Sequence, residues 1–333
     1  MMKPEHSRGP LAQLILTSKQ PVPLPILTYP GAQLTGCSVR DIATDTDAQV
    51  RAQAAIHERF RTPVVLSSMD LSIEAEAFGS EVEFSETEVP TVRGRRVMDR
   101  AGIESLPMPS VGDGRTRIPL GTVRRLRTLP DGPIVVGGMI GPFSLAGRLF
   151  GVSEALLETS GDPELILALV RKASEFLVRY AVAFKDAGAQ GLIIAEPAAG
   201  LMSPRSVSVF SSPFIRRIVE AVQDGTFDVV HHNCGASLAH LRPTLESTAN
   251  LFHFGKPMNL GEALAQVPPA TLVGGNLDPS EVFHHSTPSY TASRTRELMQ
   301  ITAGHHNFFP SSGCDIPGLS PLENIEAFFA ELR

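Results

Sequence analysis

One histidine and two cysteines stand where their side chains could bind a metal ion together. Residues 228–235 read DVVHHNCG, which puts His232 and Cys234 two positions apart at the end of an apolar run. Side chains two apart on a strand point to the same face, so these two are expected to project together. Cys314 follows a later apolar run. One imidazole nitrogen and two thiolates suit zinc, and three protein ligands leave its fourth tetrahedral position open for a substrate.

The alternative for each cysteine is simple packing. Free cysteine is among the most buried residue types, and a histidine two positions from a cysteine is a weak motif by itself. The chain has only three cysteines in 333 residues, which argues against a disulfide framework and for a reducing compartment. Cys37 has no histidine near it and is interpreted as a packed residue. For Cys234 and Cys314, spacing alone leaves both interpretations open.

Other side chains at predicted strand ends are candidates for the same site. Glu196 is interpreted either as a partner of the His232 ring or a base for a substrate proton, or as a solvated or helix-capping carboxylate. His253 is a possible fourth ligand or a packed residue between two phenylalanines, whereas His231 should face away from His232. Gly138 would let the backbone approach a ligand closely. Acids after the second predicted strand have the same two interpretations as Glu196: Asp70, Glu74 and Glu76.

Short apolar, β-branched runs alternate with helical patterns along the chain. Continuously apolar strands are typical of parallel sheets covered on both faces. The eight runs are Pro25–Tyr29, Thr62–Met69, Pro133–Phe143, Gly191–Pro197, Phe227–Gly235, Asn250–Gly255, Thr271–Pro279 and His306–Pro317. They predict an α/β fold, a single (β/α)8 TIM-type barrel whose chemistry lies at the C-terminal strand ends, with a doubly wound sheet as the alternative.

Segments outside the repeating pattern complete the predicted layout. Residues 1–20 are interpreted as an N-terminal extension and residues 21–333 as the barrel. The alternating stretch Glu81–Val92 predicts a hairpin inserted after the second strand unit, and Arg93–Arg127 is predicted to be irregular. Helix starts are indicated at Asp162, Ser203 and Asp278, each followed by proline, and a capping box at Ser320–Glu323 indicates the last one.

Composition excludes several classes of function. The formal net charge of −6 lacks the basic excess that nucleic-acid binding requires. No apolar stretch approaches the roughly 20 residues of a membrane span, so no membrane association is predicted. The polar N-terminus does not resemble a secretory signal, and the protein is predicted to be cytoplasmic.

Several motifs, taken together and in order, resemble the uroporphyrinogen decarboxylase superfamily. Within it, they are most similar to the branch of zinc-dependent methylcobamide:coenzyme M methyltransferases. The resemblance runs from about Pro21 to the C-terminus. The motifs that carry it are Gly137–Ala146 (GGMIGPFSLA), Glu196-Pro197, His232–Gly235 (HNCG), Gly275–Pro279 (GNLDP), Ser312–Pro317 (SGCDIP) and Pro321–Asn324 (PLEN).

The resemblance implies a zinc ion bound by His232, Cys234 and Cys314. It further implies that a methyl group moves from a methylcobamide, methylcobalamin on a separate corrinoid protein, to a small thiol such as coenzyme M through a zinc-bound thiolate. An anionic acceptor would need a cation, for which Lys256 and Arg205 are candidates, with Gly138 beside the substrate. Where family members commonly carry an acid after the sixth strand, this chain has Gly255.

Other activities remain open within the same superfamily. One is a metal-free decarboxylase, but the stretch Thr28–Gln33 has no arginine where the decarboxylases carry an R-Q-A-G-R type motif for carboxylates. A methylcobamide:tetrahydrofolate methyltransferase is another. A third alternative is a purely structural zinc ion joining the fifth and eighth predicted strands.

Overall fold

The computed structural model describes residues 8–333, in which a parallel sheet curls into an open barrel. Its seven strands are, in spatial order, β1 (Val64–Leu66), β4 (Ile134–Ile140), β5 (Gly191–Ala195), β6 (Asp228–Asn233), β7 (Leu251–Phe254), β8 (Leu272–Leu277) and β9 (Phe308–Ser312). All neighbours pair in parallel. The predicted α/β barrel is therefore confirmed, and each sheet strand lies in a predicted run.

The first predicted strand, Pro25–Tyr29, is the exception, because it is extended but forms no ladder. Prolines at 21, 23 and 25 remove every second N–H donor from this segment. Leu24 N and Ile26 N both bond to β9, at Pro310 O (2.9 Å) and Ser312 Oγ (3.0 Å), and Thr28 N bonds to Asp315 Oδ1 (3.0 Å). Pro23 and Pro25, at the alternate positions, have no N–H to pair with β1 on the other side.

A glutamine side chain joins this segment to β1 instead. The Gln53 amide donates to Leu27 O (2.7 Å) and accepts from Leu66 N (3.0 Å). One side-chain amide thus replaces the backbone pairing that would close an eight-stranded barrel. Gln53 is buried, so these bonds are shielded from water.

Helices cover the outside of the sheet. They are α1 (Pro10–Thr17), α2 (Gly31–Thr35), α3 (Val39–Thr44), α4 (Thr46–Phe60), α5 (Ile73–Ala77), α6 (Arg100–Ser105), α7 (Arg117–Leu126), α8 (Pro142–Phe150), α9 (Val152–Gly161), α10 (Pro163–Asp186), α11 (Pro204–Phe210), α12 (Ser212–Val222), α13 (Leu241–Leu245), α14 (Leu260–Gln266), α15 (Pro288–Ile301) and α16 (Leu322–Ala330). Shorter turns are the 3-10 segments Gly114–Thr116, Pro197–Leu201 and Leu238–His240 and the π-helical turn Pro279–His284.

The insertion after β1 contains the predicted hairpin, but the segment that follows the hairpin differs from the prediction. The predicted hairpin is present as β2 (Glu81–Glu83) paired antiparallel with β3 (Thr91–Arg93). The prediction that Arg93–Arg127 is irregular is wrong, because this stretch contains α6 and α7. Pro119 and Gly121 interrupt the pattern of α7 in the sequence, yet one face of the helix is buried through Ile118 and Val123.

The predicted helix starts are mostly confirmed. Asp162 accepts from Leu165 N (3.0 Å) at the start of α10, and Ser203 accepts from Ser206 N (3.1 Å) at the start of α11. The predicted capping box at Ser320–Glu323 is absent, since α16 begins after Pro321 without a side-chain cap. The Ser320 hydroxyl instead lies 3.4 Å from His284 Nδ1.

The bottom of the barrel is closed by α1, which lies in the predicted N-terminal extension. Leu11, Ala12 and Ile15 are buried against the side chains that fill the barrel interior. The buried Asp228 carboxylate, at the start of β6, accepts from Gly9 N and Ala12 N, both at 3.0 Å. Among residues 8–333, no helix is long and apolar enough to cross a membrane.

Candidate metal centre

The three predicted ligands converge at the C-terminal end of the sheet. His232 is near the end of β6, Cys234 directly follows that strand, and Cys314 follows β9. Their ligand atoms all lie within 4.8 Å of one another. His232 is buried and both cysteines are half-buried, so the group is shielded but open on one side. Parallel strands carry these residues to one end of the barrel, as the sequence predicts.

The donor atoms are in a state suited to a metal cation. His232 Nε2 is buried and has no hydrogen-bond partner in the described residues. The hydrogen bond with Cys314 lowers the pKa of the Cys234 thiol to about 7, and the same bond raises the pKa of Cys314. The hydrogen bond between the two sulfur atoms therefore favours a thiolate at Cys234 over one at Cys314. An unpartnered imidazole nitrogen beside two cysteine sulfurs fits a borderline-soft ion such as zinc.

A second buried histidine holds the ring of His232. His253 is the register partner of His232 on β7, and the two Nδ1 atoms are 2.7 Å apart. The sequence makes His253 a possible fourth ligand, but the contact of His253 with His232 depends on strand register. His231 faces the helix layer, as predicted, with its Nδ1 2.9 Å from Ser247 Oγ.

Glu196 lies beside the site but holds the backbone rather than the imidazole. One carboxyl oxygen accepts from Ser144 N (2.9 Å) in the first turn of α8, which is the helix-capping alternative. The other oxygen, Oε2, is buried without a partner in the described residues. Burial raises the pKa of Glu196 to about 8, so this carboxyl is largely protonated at neutral pH. A role in moving a substrate proton stays a prediction.

The acids after β1 form a buried cluster around one arginine. Arg115 donates to Asp70, to Glu76 Oε2 (2.5 Å) and to Ser72 Oγ (2.7 Å). Glu74, by contrast, accepts from Ile140 N (3.1 Å) at the end of β4, and its Oε2 has no partner in the described residues. Burial is the main reason that the pKa of Glu74 rises from 4.5 to about 8.

The raised pKa of Glu74 predicts a pH-dependent stability. Between 4.5 and about 8 the folded state binds more protons than the unfolded state, so the free energy of unfolding falls as the pH rises. Glu74 lowers the free energy of unfolding by up to about 1.4 kcal/mol for each pH unit in this window. Glu74→Gln should flatten this decline in urea unfolding measured across the window, whereas Glu104→Gln, at an exposed position, should leave it. An unchanged slope in Glu74→Gln would contradict the assignment.

Other protein atoms occupy the space that side chains would take at the glycines of the GGMIG motif. A Cβ at Gly138 would lie 2.8 Å from Met69 Cγ and 2.9 Å from Ser68 O. A Cβ at Gly141 would overlap Glu196 Oε2. These glycines therefore allow close packing between strand ends, and a direct contact of Gly138 with substrate stays a prediction.

Lys256 is already paired. Its Nζ lies 2.6 Å from Glu281 Oε2 and 3.1 Å from Asp278 Oδ2, and the hydrogen bond with Glu281 is the main cause of its raised pKa. Two carboxylates outnumber this one cation, so it offers little attraction to an anionic acceptor. Arg205 is exposed on α11.

Gly255, where the resemblance leads one to expect an acid, has no space for a side chain. A Cβ there would lie 2.1 Å from Cys234 O. The backbone of β7 thus packs directly on the ligand loop after β6. A cleft of about 430 Å³ is lined by Asp315, the residue after Cys314, and by Tyr29, Val89, His284 and Leu319 among others. Its size is that of a small-molecule site.

Comparison with known protein families and structures fits this geometry. The uroporphyrinogen decarboxylase (URO-D) family model matches residues 21–333. The chain belongs to this family. Members of the family differ in activity, and two similar relatives illustrate the range. A "Methylcobamide:CoM methyltransferase MtbA" of Methanosarcina acetivorans is 26% identical over 290 residues, covering 85% of this chain and 83% of that protein.

A decarboxylase of the family is also similar, but over a shorter length. A "Uroporphyrinogen decarboxylase" of Desulfotalea psychrophila is 31% identical over 218 residues, covering 63% of this chain and 62% of that protein. Among solved structures, a methyltransferase from Methanosarcina mazei has a TM-score of 0.87 at 22% identity and covers 96% of both chains. This URO-D family fold therefore extends over nearly the whole chain.

Proposed function

We propose that the protein is a corrinoid-dependent methyltransferase that moves a methyl group from a methylcobamide, carried by a partner corrinoid protein, to a thiol with the help of zinc. The observation that carries this proposal is the convergence of His232, Cys234 and Cys314 within 4.8 Å at the barrel mouth. The similarity to a methylcobamide:CoM methyltransferase over most of both chains supports it. The lack of arginine in residues 28–33 weighs against binding the carboxylates of a porphyrinogen.

His232, Cys234 and Cys314 would hold the metal, and its remaining position would face the open side of the site. When bound, zinc supplies the Lewis acidity that keeps an acceptor thiol deprotonated at neutral pH. Two cysteinate ligands neutralise the double charge of the ion, so the acceptor sulfur retains electron density for attack. The buried backbone of β6 and β9 fixes the ligand positions, which limits the reorganisation needed for the reaction.

The transfer balances without another reactant. A carbon–sulfur bond forms as the cobalt–carbon bond breaks, the bonding electron pair remains on cobalt, and the thiol proton is released. Because Lys256 is paired with Asp278 and Glu281, a negative charge on the acceptor is not an evident requirement. We therefore include acceptors of different charge in the test.

The test is demethylation of free methylcobalamin by the zinc-loaded protein, followed by absorbance. The acceptors are coenzyme M, homocysteine, 2-mercaptoethanol and tetrahydrofolate, each assayed with and without protein. We expect protein-dependent loss of methylcobalamin with at least one thiol and none with tetrahydrofolate. Transfer to tetrahydrofolate alone, or decarboxylation of a porphyrinogen by the zinc-free protein, would instead establish one of the other activities of the family.

A further inference from the structure

A chain of hydrogen bonds runs from His232 away from the metal centre. His232 Nδ1 is 2.7 Å from His253 Nδ1, and His253 Nε2 is 2.7 Å from Ser311 Oγ. The Ser311 hydroxyl donates to Leu24 O at 2.6 Å. All three side chains are at most 1% exposed, so no solvent competes for these bonds.

The direction of each bond follows from its last member. Leu24 O only accepts, so Ser311 donates to it and has its lone pairs free for His253. A neutral imidazole then donates through Nε2–H to Ser311 and accepts at Nδ1, and His232 must donate from Nδ1–H. Only one arrangement of protons satisfies the whole chain. In this arrangement His232 Nε2 carries no proton, and its lone pair is free. This is the ring nitrogen that has no hydrogen-bond partner in the described residues.

We propose that His253 is a positioning residue that holds His232 in the Nδ1–H form, with Nε2 directed toward the metal. This inference rests on the proposed zinc site. It also assigns His253 a role other than that of a fourth ligand, because both of its ring nitrogens are already bonded within the protein. Outer partners of this kind fix the orientation and tautomer of metal-binding histidines.

The choice of a neutral partner has an electrostatic reason. Carboxylates often occupy the place of His253 in metal sites. Here two cysteinates already balance the charge of a zinc ion, and a buried carboxylate would add an uncompensated negative charge. The neighbouring strands cover the imidazole with an apolar ring: the space at Gly274, the register partner of His253 on β8, is filled by the Phe309 ring, which packs 6.1 Å from the His253 ring.

Three substitutions of His253 separate this role from simple packing. An asparagine at 253 places an amide oxygen near the position of Nδ1 and can accept from His232, whereas a glutamine places its amide near Nε2 and retains the contact with Ser311. We expect His253→Gln and His253→Leu to weaken zinc binding by about 10- to 100-fold in competition with a chelator. His253→Asn should bind zinc nearly as tightly as the unaltered protein. Thermal unfolding of each variant checks that it is folded.

A measurement on the unaltered protein needs no substitution. In nitrogen-15 NMR of the zinc-free protein, His232 should show a protonated Nδ1 and a bare Nε2, and His253 the reverse. The proposal is overturned if His232 carries its proton on Nε2, or if folded His253→Leu and His253→Gln bind zinc as tightly as His253→Asn. An unaltered protein that binds zinc tightly but transfers no methyl group would contradict the proposed function and leave this inference standing.

Discussion

Cys314→Ser should lose zinc and methyl transfer together. A serine hydroxyl at this position is a poor zinc ligand at neutral pH, so the ion would retain only one nitrogen and one sulfur donor. Loss of an outer partner alone costs up to about 100-fold in affinity or activity, and loss of a direct ligand should exceed that. The measurements are zinc content after dialysis and thiol-dependent demethylation of methylcobalamin.

Cys37→Ser is the matched control. Cys37 is half-buried beside Arg51, whose guanidinium lies 3.7 Å from its sulfur, and it lies outside the cluster of the other two cysteines. We expect unchanged zinc content and transfer rate in this variant. If Cys314→Ser retained full zinc content and full activity, the metal centre as described would be wrong.

Arg115→Met should be the most destabilising of the substitutions considered. The guanidinium is 6% exposed and bonds Asp70, Glu76 and Ser72, while Asp70 itself is 4% exposed. Methionine fills similar space but leaves the Asp70 carboxylate buried without its counter-charge. Removing one partner of a buried ion pair costs about 3–5 kcal/mol. Equilibrium urea unfolding at neutral pH measures the loss.

A surface arginine on α7 provides the comparison. Arg125 pairs with Asp47 on the surface, where the two side chains are 48% and 62% exposed. Arg125→Met should therefore cost less than about 1 kcal/mol. Adding Asp70→Asn to Arg115→Met removes the unpaired charge and should recover part of the stability. Equal losses of unfolding free energy in Arg115→Met and Arg125→Met would refute the assignment of Arg115 as a buried charge partner.

The convergence of His232, Cys234 and Cys314 is predictable from the sequence because the geometry is local in each strand. Alternation along β6 places His232 and Cys234 on one face, and the barrel topology brings Cys314 to the same end. The role of His253 is less accessible, because it depends on the register of β6 against β7. Nothing in a single sequence specifies that register to one residue.

Two errors in the predicted fold have a common origin in proline and glycine. The run Pro25–Tyr29 is apolar enough for a strand, but the prolines before and within it leave too few donors for two neighbours. In α7, Pro119 and Gly121 lower the helix propensity, and burial of the apolar face outweighs this. In both places tertiary hydrogen bonding or packing determines the secondary structure, and local propensity does not predict these interactions.

The alternating prolines before Leu24 and Ile26 also bear on edge-to-edge pairing between molecules. An open sheet ends in strands with free backbone groups, which can recruit a strand from another molecule. Here the extended segment covers the edge of β9 with the N–H groups of Leu24 and Ile26, and Pro23 and Pro25 remove two donors that would otherwise point outward. The same residues that keep the barrel from closing by a backbone ladder therefore make its gap a poor template for aggregation.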